Sequence, residues 1–218
     1  MVTKQTIRVF LIDDHALIRD GVKMILSTAS DIEVVGEASC GAQALPQVRA
    51  LKPDVVLCDF HMPGLSGLEV TERLARSLSS SRLIMVSVLA EGPMPKRVLA
   101  AGAYGYLSKG AAGDELMQAI REVAAGRRYI GADIARQMAM DCLIGTGSAV
   151  DSLTPRELEV ALLLVKGHKM TDIGRQLSLS AKTVATHKYR LFDKLGVRDA
   201  MSLAKVARLH GLLDPAEA

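Results

Sequence analysis

The 218-residue chain has no tryptophan, four tyrosines and three phenylalanines. Modes that stack bases on aromatic platforms, as with single strands or RNA, therefore have few residues to work with. Cysteine is just as scarce. Cys40, Cys58 and Cys142 are scattered and form no CxxC pair, a usage that suits a reducing cytoplasm better than a disulfide-built scaffold. No apolar run approaches the roughly 20 residues of a membrane span. The N-terminal stretch lacks the hydrophobic region of a signal peptide, so a cytoplasmic protein with no membrane partner is expected. Repeats and low-complexity tracts are absent too. What the chain has is apolar content: 49% of its residues are hydrophobic, enough at this length for one or two packed domains.

The most informative local feature is an acid pair at the end of an apolar run, Ile7-Arg8-Val9-Phe10-Leu11-Ile12-Asp13-Asp14. A third acid, Asp59, ends the run Val55-Val56-Leu57-Cys58-Asp59. Both runs are short, β-branched and followed by helical patterns, which predicts parallel strands of a βαβ sheet. Parallel strands aim their carboxyl ends the same way, so the three acids should converge on one rim. Carboxylates gathered there repel one another, and a hard divalent cation with oxygen ligands, Mg²⁺ above all, relieves the repulsion.

Two further strands complete the rim. Leu83-Ile84-Met85-Val86-Ser87 ends in a hydroxyl and Gly105-Tyr106-Leu107-Ser108-Lys109 in an ammonium. An acid pair with a cation, a lone Asp, a hydroxyl and a lysine can bind and transfer a phosphoryl group. Asp59 would attack, while the cation, Lys109 and Ser87 stabilise the phosphoryl oxygens.

Each residue also has a plainer reading. Asp14 can be a helix N-cap before His15-Ala16-Leu17-Ile18. A lone lysine at a strand end is usually surface, Tyr106 can be core or rim packing, and a single His61 without a spaced partner is more often structural. Cys58 should point to the sheet face opposite Asp59 and be core. It is the joint order along the strands that outweighs these readings.

That order, Asp-Asp, then Asp followed by Met62-Pro63-Gly64, then Ser, Tyr and Lys, resembles the receiver domain of two-component response regulators over roughly residues 5 to 127. The resemblance implies that Asp59 is the phosphoacceptor and Asp14 a direct metal ligand. Asp13 then helps through water, and the backbone carbonyl of His61 is a further ligand. Ser87 and Lys109 match the phosphoryl-sensing pair, and Tyr106 the aromatic switch. Where many receivers have Lys-Pro, this chain has Lys109-Gly110, so the cis-proline turn of those receivers is not available.

Charge divides the chain. Residues 1 to 126 carry 13 Lys/Arg against 14 Asp/Glu, a net of −1, and residues 127 to 218 carry 14 against 10, a net of +4. Within 166 to 198, eight cations face only Asp172 and Asp193. That asymmetry points to a polyanion partner for the second half, although a solvated helix face is the common alternative. A linker of small residues, Ile144 to Ala149, follows a short helix from Ala132 to Cys142. Thr154 as N-cap, Pro155 and Glu157 then open a helix through a capping box, and Gly167 stops it. Met170 to Leu177, a tight turn with Ser180 as N-cap, and Ala181 to Leu195 ending at Gly196 form a helix-turn-helix, and Asp199 to His210 closes the domain. The exposed face of Ala181 to Leu195 should present Lys182, Thr183, Ala185, Thr186, Lys188, Tyr189 and Arg190.

The segment 149 to 213 resembles the LuxR/NarL (FixJ) DNA-binding domain. It does so through Leu153-Thr154-Pro155-Arg156-Glu157-Leu158-Glu159-Val160, Ile173-Gly174-Arg175-Gln176-Leu177, Lys182-Thr183-Val184, His187 and Lys194-Leu195-Gly196-Val197. Within that class the chain resembles the GacA/UvrY type of regulator through Val34 to Gly41, Tyr104 to Ala112 and Ile134 to Ala139. The resemblance implies a phosphoryl donor that is a sensor (hybrid) histidine kinase or phosphotransfer domain. It also implies a homodimer when phosphorylated, double-stranded DNA as target, and activation of small regulatory RNA genes. Pro46, inside the second receiver helix, is expected to kink it.

The expected architecture is α/β. A flavodoxin-like, doubly wound five-stranded parallel sheet (1–127) leads to a linker with a short helix (128–148) and an all-α helix-turn-helix domain (149–218). Such a receiver is not a conventional enzyme, though it catalyses its own phosphoryl transfer and dephosphorylation. Two other classes compete. A haloacid dehalogenase-type phosphatase also uses a strand-end Asp with Mg²⁺, but has a second Asp two residues on, where this chain has His61. A constitutive DNA-binding or scaffold protein with a vestigial receiver would not need every site position filled.

Overall fold

A computed structural model describes residues 6–77, 80–88, 93–144, 149–177 and 179–209. Residues 145–148 of the expected linker and Ser178 of the expected turn lie outside them. By contacts the chain divides into two compact units, Met1–Val88 with Lys96–Ala135 and Arg136–Ala218 with Leu89–Pro95.

The first unit is a parallel sheet. Its strands are β1 (Ile7–Ile12), β2 (Ile32–Ala38), β3 (Val55–Asp59), β4 (Arg82–Ser87) and β5 (Gly105–Ser108). A sixth, β6 (Tyr129–Ile130), pairs in parallel with β5, so the sheet has six strands where five are expected. Two residues are too few to carry a period, and only the pairing with β5, Gly105 with Tyr129 and Tyr106 with Ile130, exposes this strand. The order is β2-β1-β3-β4-β5-β6. The chain leaves β1 to one side for β2 and returns to the other side for β3, so the topological switch point lies between β1 and β3.

Helices α1 (Ala16–Leu26), α2 (Gly41–Leu51), α3 (Gly67–Arg76), α4 (Met94–Ala100) and α5 (Gly113–Ala124) fill the crossovers. One core joins Val9, Leu11, Val55, Leu57, Ile84 and Leu107 of the sheet to Leu26 of α1 and Leu116, Ala119, Ile120 and Val123 of α5. Each of the Val, Leu and Ile side chains contributes roughly 1.5–3 kcal/mol on leaving water. Both faces of the central strands are covered, which is why the sequence shows continuous apolar runs and no alternation. Cys58 is fully buried, as expected of core, and its thiol pKa is pushed well up, by burial first and then by Asp59 and Asp13. Pro46 lies inside α2, which runs on through it to Leu51.

After α6 (Ala132–Ile144), most of which belongs to the second unit, that unit has a 3-10 turn (Ala149–Ser152). It continues with α7 (Pro155–Val165), α8 (Met170–Gln176), α9 (Ala181–Leu195) and α10 (Ala200–Leu209). Thr154 and Glu157 make the expected capping box, Ser180 caps α9 through the Thr183 N–H, and Gly196 ends it in the left-handed conformation. Leu158, Ala161, Leu162, Ile173, Val184, Leu191 and Leu203 form the core. At the turn between α8 and α9, Leu179 N–H donates to Gly174 O at 2.7 Å. A Cβ on Gly174 would lie 2.7 Å from Leu179 O, so this tight turn needs a glycine there.

Candidate functional site

The switch point gathers the acids. Asp13 and Asp14 follow β1, Asp59 ends β3, and β1 pairs with β3 through Ile12 and Cys58. Ligand atoms of Asp13, Asp14, His15 and Asp59 lie within 4.8 Å of one another. Lys109, just past β5, donates from Nζ to Asp13 Oδ2 at 2.8 Å and pairs with Asp59 Oδ2 at 3.0 Å. Its backbone N–H donates to Ser87 O at 2.9 Å, which ties the ends of β4 and β5 together. The expected convergence is therefore physical for Asp13, Asp14, Asp59 and Lys109.

The Met62-Pro63-Gly64 loop folds back on the acceptor position. Gly67 N–H donates to Phe60 O at 2.9 Å, and a Cβ on Gly67 would lie 2.3 Å from Asp59 O. Only glycine permits that approach. Phe60 N–H donates to Asp59 Oδ1 at 2.7 Å and fixes the carboxylate. Burial raises the Asp59 pKa to about 6; Lys109 opposes the rise and Asp13 adds to it. Burial alone would lower Lys109, but Asp13 and Asp59 hold its pKa above the ordinary lysine value.

Ser87 and Tyr106 are both fully buried, and their side chains are hydrogen-bonded to each other. Tyr106 is thus core and site neighbour at once. Burial pushes its pKa up, with Asp59 adding and Ser87 opposing. The side chain of His61 is not among the four gathered groups; its ring stands edge-on to Phe60, with centroids 4.9 Å apart. Asp14 is not the N-cap. His15 holds that position, and its N–H donates to Asp13 Oδ1 at 2.8 Å. His15 belongs to no motif in the sequence, although it directly follows the acid pair. After Lys109, Gly110 N–H donates to Ser108 Oγ at 3.1 Å, and no cis peptide occurs among the described residues.

Lys109 pairs with Asp13 and Asp59, and a third carboxylate, Asp14, lies beside them, so the acids outnumber the lysine that faces them. The hard oxygen donors of that set fit a divalent cation.

On the second unit, α9 exposes Lys182, Thr186, Tyr189 and Arg190, which lie along one stripe. Thr183, Ala185 and Lys188, expected on the same face, are half-buried. Thr183 Oγ1 is 2.8 Å from Ser180 Oγ at the cap, and Lys188 Nζ stands 5.2 Å from the Phe192 ring centroid.

Residues 9–121 match the family described as response regulator receiver domain, and residues 151–207 the one described as bacterial regulatory proteins, luxR family. The chain belongs to the response regulators. It is similar to the response regulator UvrY of Escherichia coli K12, at 48% identity over 94% of this chain and 95% of the relative. It is also similar to GacA of Pseudomonas aeruginosa, at 44% over 96% and 99%. In fold it is like RcsB of Salmonella enterica serovar Typhimurium bound to promoter rprA, with a TM-score of 0.73 at 24% identity, covering 93% of this chain and 98% of that one.

A response regulator with this pair of domains is a phosphorylation-dependent transcriptional regulator. Its receiver implies a histidine kinase partner, and its luxR-type domain implies DNA binding. Asp13, Asp14 and Asp59 form the acidic pocket typical of divalent-cation binding in receivers. Among the described residues no helix is long and apolar enough to cross a membrane.

Proposed function

We propose that Asp59 accepts a phosphoryl group from a sensor (hybrid) histidine kinase or phosphotransfer domain, and that the acyl phosphate switches dimerisation and promoter binding. The observation that carries this reading is the buried Asp59 carboxylate with Lys109 Nζ at 3.0 Å and an acid pair beside it. An Asp59 oxygen bonds to phosphorus as the donor's P–N bond breaks, and the leaving imidazole takes the electron pair. Lys109 follows the charge onto the phosphoryl oxygens, releasing part of its hold on Asp13. The Asp59 pKa of about 6 leaves most of the carboxylate ionised at neutral pH, and more nucleophilic than an ordinary aspartate.

Mg²⁺, held by Asp13, Asp14, Asp59 and the backbone carbonyl of His61, would supply charge neutralisation for the transferring group. The same residues serve the receiver's own dephosphorylation.

Ser87 and Tyr106 form the switch. Their hydroxyls share a hydrogen bond, so when Ser87 turns to a phosphoryl oxygen Tyr106 must find a new partner or a new rotamer. Phosphorylation biases a pre-existing equilibrium toward the form that pairs DNA-binding domains as a homodimer. The domains run 1–127 for the receiver, 128–148 for the linker and 149–218 for DNA binding. DNA contacts are assigned to Lys182, Thr183, Ala185, Thr186, Lys188, Tyr189 and Arg190, with the exposed members of the set foremost. Likeness to the GacA and UvrY regulators supports a cytoplasmic activator of small regulatory RNA genes.

The test is duplex binding by the full chain with and without acetyl phosphate and Mg²⁺. Phosphorylation should tighten specific binding in wild type and leave Asp59→Asn unchanged. Equal binding in all four conditions would refute the switch.

A further inference from the structure

His15 stands at the acid site without an assigned task. Its side chain is 64% exposed, yet its Nδ1 is turned inward, 2.9 Å from Asp14 Oδ1 and 3.2 Å from Asp13 Oδ1. The backbone fixes this posture. His15 is the N-cap residue of α1, in extended conformation, and its N–H is held by Asp13 Oδ1 at 2.8 Å. Its ring makes no capping hydrogen bond to the helix. The ring nitrogen instead lies within hydrogen-bond reach of the two carboxylates.

The spacing matters. Neighbouring ligands on an octahedral cation with bonds of about 2.1 Å are about 3 Å apart. The Nδ1 to Asp14 Oδ1 separation of 2.9 Å has that value, and the donor atoms of Asp13 and Asp59 complete the cluster within 4.8 Å. Asp13 Oδ1 accepts the His15 N–H and its Oδ2 the Lys109 ammonium, while Asp59 Oδ1 accepts the Phe60 N–H and its Oδ2 pairs with Lys109. Asp14 and the His15 ring are the more exposed members of the set, open to a cation arriving from solvent.

We propose that His15 Nδ1 is a nitrogen ligand of the cation bound at this rim, so that the site takes borderline transition cations as well as a hard alkaline-earth ion. This rests on the cation-site reading above. With no cation, one tautomer places the Nδ1 proton toward the carboxylates. With a cation, the other tautomer turns the lone pair inward and leaves the proton on Nε2, in solvent. Imidazole nitrogen adds affinity along the Irving–Williams order, so Co²⁺ gains more than Mg²⁺.

The experiment uses the full chain with Mn²⁺, which has an electron-spin signal, and with Co²⁺ and Mg²⁺ by calorimetry. Wild type with Mn²⁺ should show ¹⁴N modulation of a coordinated imidazole in its electron spin echo, and His15→Ala and His15→Gln should both lack it. Co²⁺ affinity should fall about tenfold or more in both variants, the scale seen when a metal site loses a supporting group, and Mg²⁺ affinity by much less. The His15→Gln variant keeps a polar side chain, so a loss shared by both variants is not a folding effect. Mn²⁺ bound without nitrogen modulation, or with modulation that survives both variants, overturns the role of His15 and leaves the oxygen site standing. Mn²⁺ binding that is absent, or indifferent to Asp14→Ala, overturns the cation site itself and this inference with it.

Discussion

Lys194, in the last turn of α9, donates from Nζ to Glu157 Oε2 at 2.7 Å, across to the first turn of α7. The same oxygen accepts the Thr154 N–H at 2.8 Å, and Lys194 also donates to Ser152 O at 3.0 Å. One carboxylate thus serves a helix cap and a tertiary bridge. The candidate recognition helix is anchored to the glutamate of the capping box that starts α7.

That bridge should appear in stability. Burial alone would raise the Glu157 pKa, but Lys194 and the Thr154 groups hold it below the ordinary 4.5. A depressed carboxyl stabilises the fold above its unfolded pKa, and the contribution is lost as pH falls through the lower folded value. Glu157→Gln should cost about 1.5–3 kcal/mol at neutral pH, the range for hydrogen bonds to charged groups. The gap between wild type and variant in urea melts should close below about pH 4.5. A gap that stays constant down to pH 3 would remove the bridge from the stability account.

Acetyl phosphate with Mg²⁺ should label the chain on Asp59 as a hydroxylamine-sensitive acyl phosphate. Asp59→Asn should abolish the label. Asp54→Asn is the control, since Asp54 Oδ2 accepts the Arg8 N–H at 2.8 Å, just ahead of β3 at the opposite end of the strand. An amide oxygen can still accept there, so that variant should stay folded and fully labelled. Equal labelling of Asp59→Asn and wild type would sink the assignment.

Asp14→Ala should raise the Mg²⁺ concentration needed for labelling, because a hard oxygen ligand is lost. Lys109→Ala removes the cation that pairs with both Asp13 and Asp59. It should keep Mg²⁺ binding nearly intact while phosphorylation no longer alters DNA affinity. Titrations of metal binding beside gel shifts separate the two effects, and unchanged Mg²⁺ affinity in Asp14→Ala would take the acid pair out of the site.

On DNA, Lys182→Ala should weaken binding to all duplexes alike and reduce the log–log salt slope by about one unit, the mark of one lost phosphate contact. Tyr189 is 73% exposed and should instead read bases, at roughly 1–3 kcal/mol per lost contact. Thr186 Oγ1 already donates to Lys182 O at 3.0 Å, so its readout falls to the methyl group and the acceptor lone pairs of Oγ1. Selection of preferred half-sites by wild type, Tyr189→Ala and Thr186→Ala checks this. Identical preferences in all three would move base reading off this stripe.

Much of the molecule was legible in the sequence because its signals are local. Val55 to Asp59 is a strand with the bounds expected, since a β-branched run ending before a Pro-Gly loop has one reading. The capping box at Thr154, the cap at Ser180 and the stop at Gly196 are written in residues a few positions apart. Side-chain direction was less legible. Thr183 and Lys188 have the composition of a DNA-facing surface, yet Ser180 and Phe192 engage them. His15 looks like a helix opener, and only its ring's distances to Asp13 and Asp14 give it another role.

Residues close together along the chain set the alternation of strand and helix, the helix caps, and which strand ends carry acids, a hydroxyl and a lysine. These follow from periodicity and backbone preference within a few residues. The tertiary structure decided the rest. It set the β2-β1-β3 order that brings Asp13, Asp14 and Asp59 to one crevice, and it added β6 at the sheet edge. It also raised the Asp59 pKa to about 6 by burial and bound Lys194 to Glu157 across 37 positions. Burial and through-space charge depend on what lies nearby after folding, and spacing along the chain does not encode that.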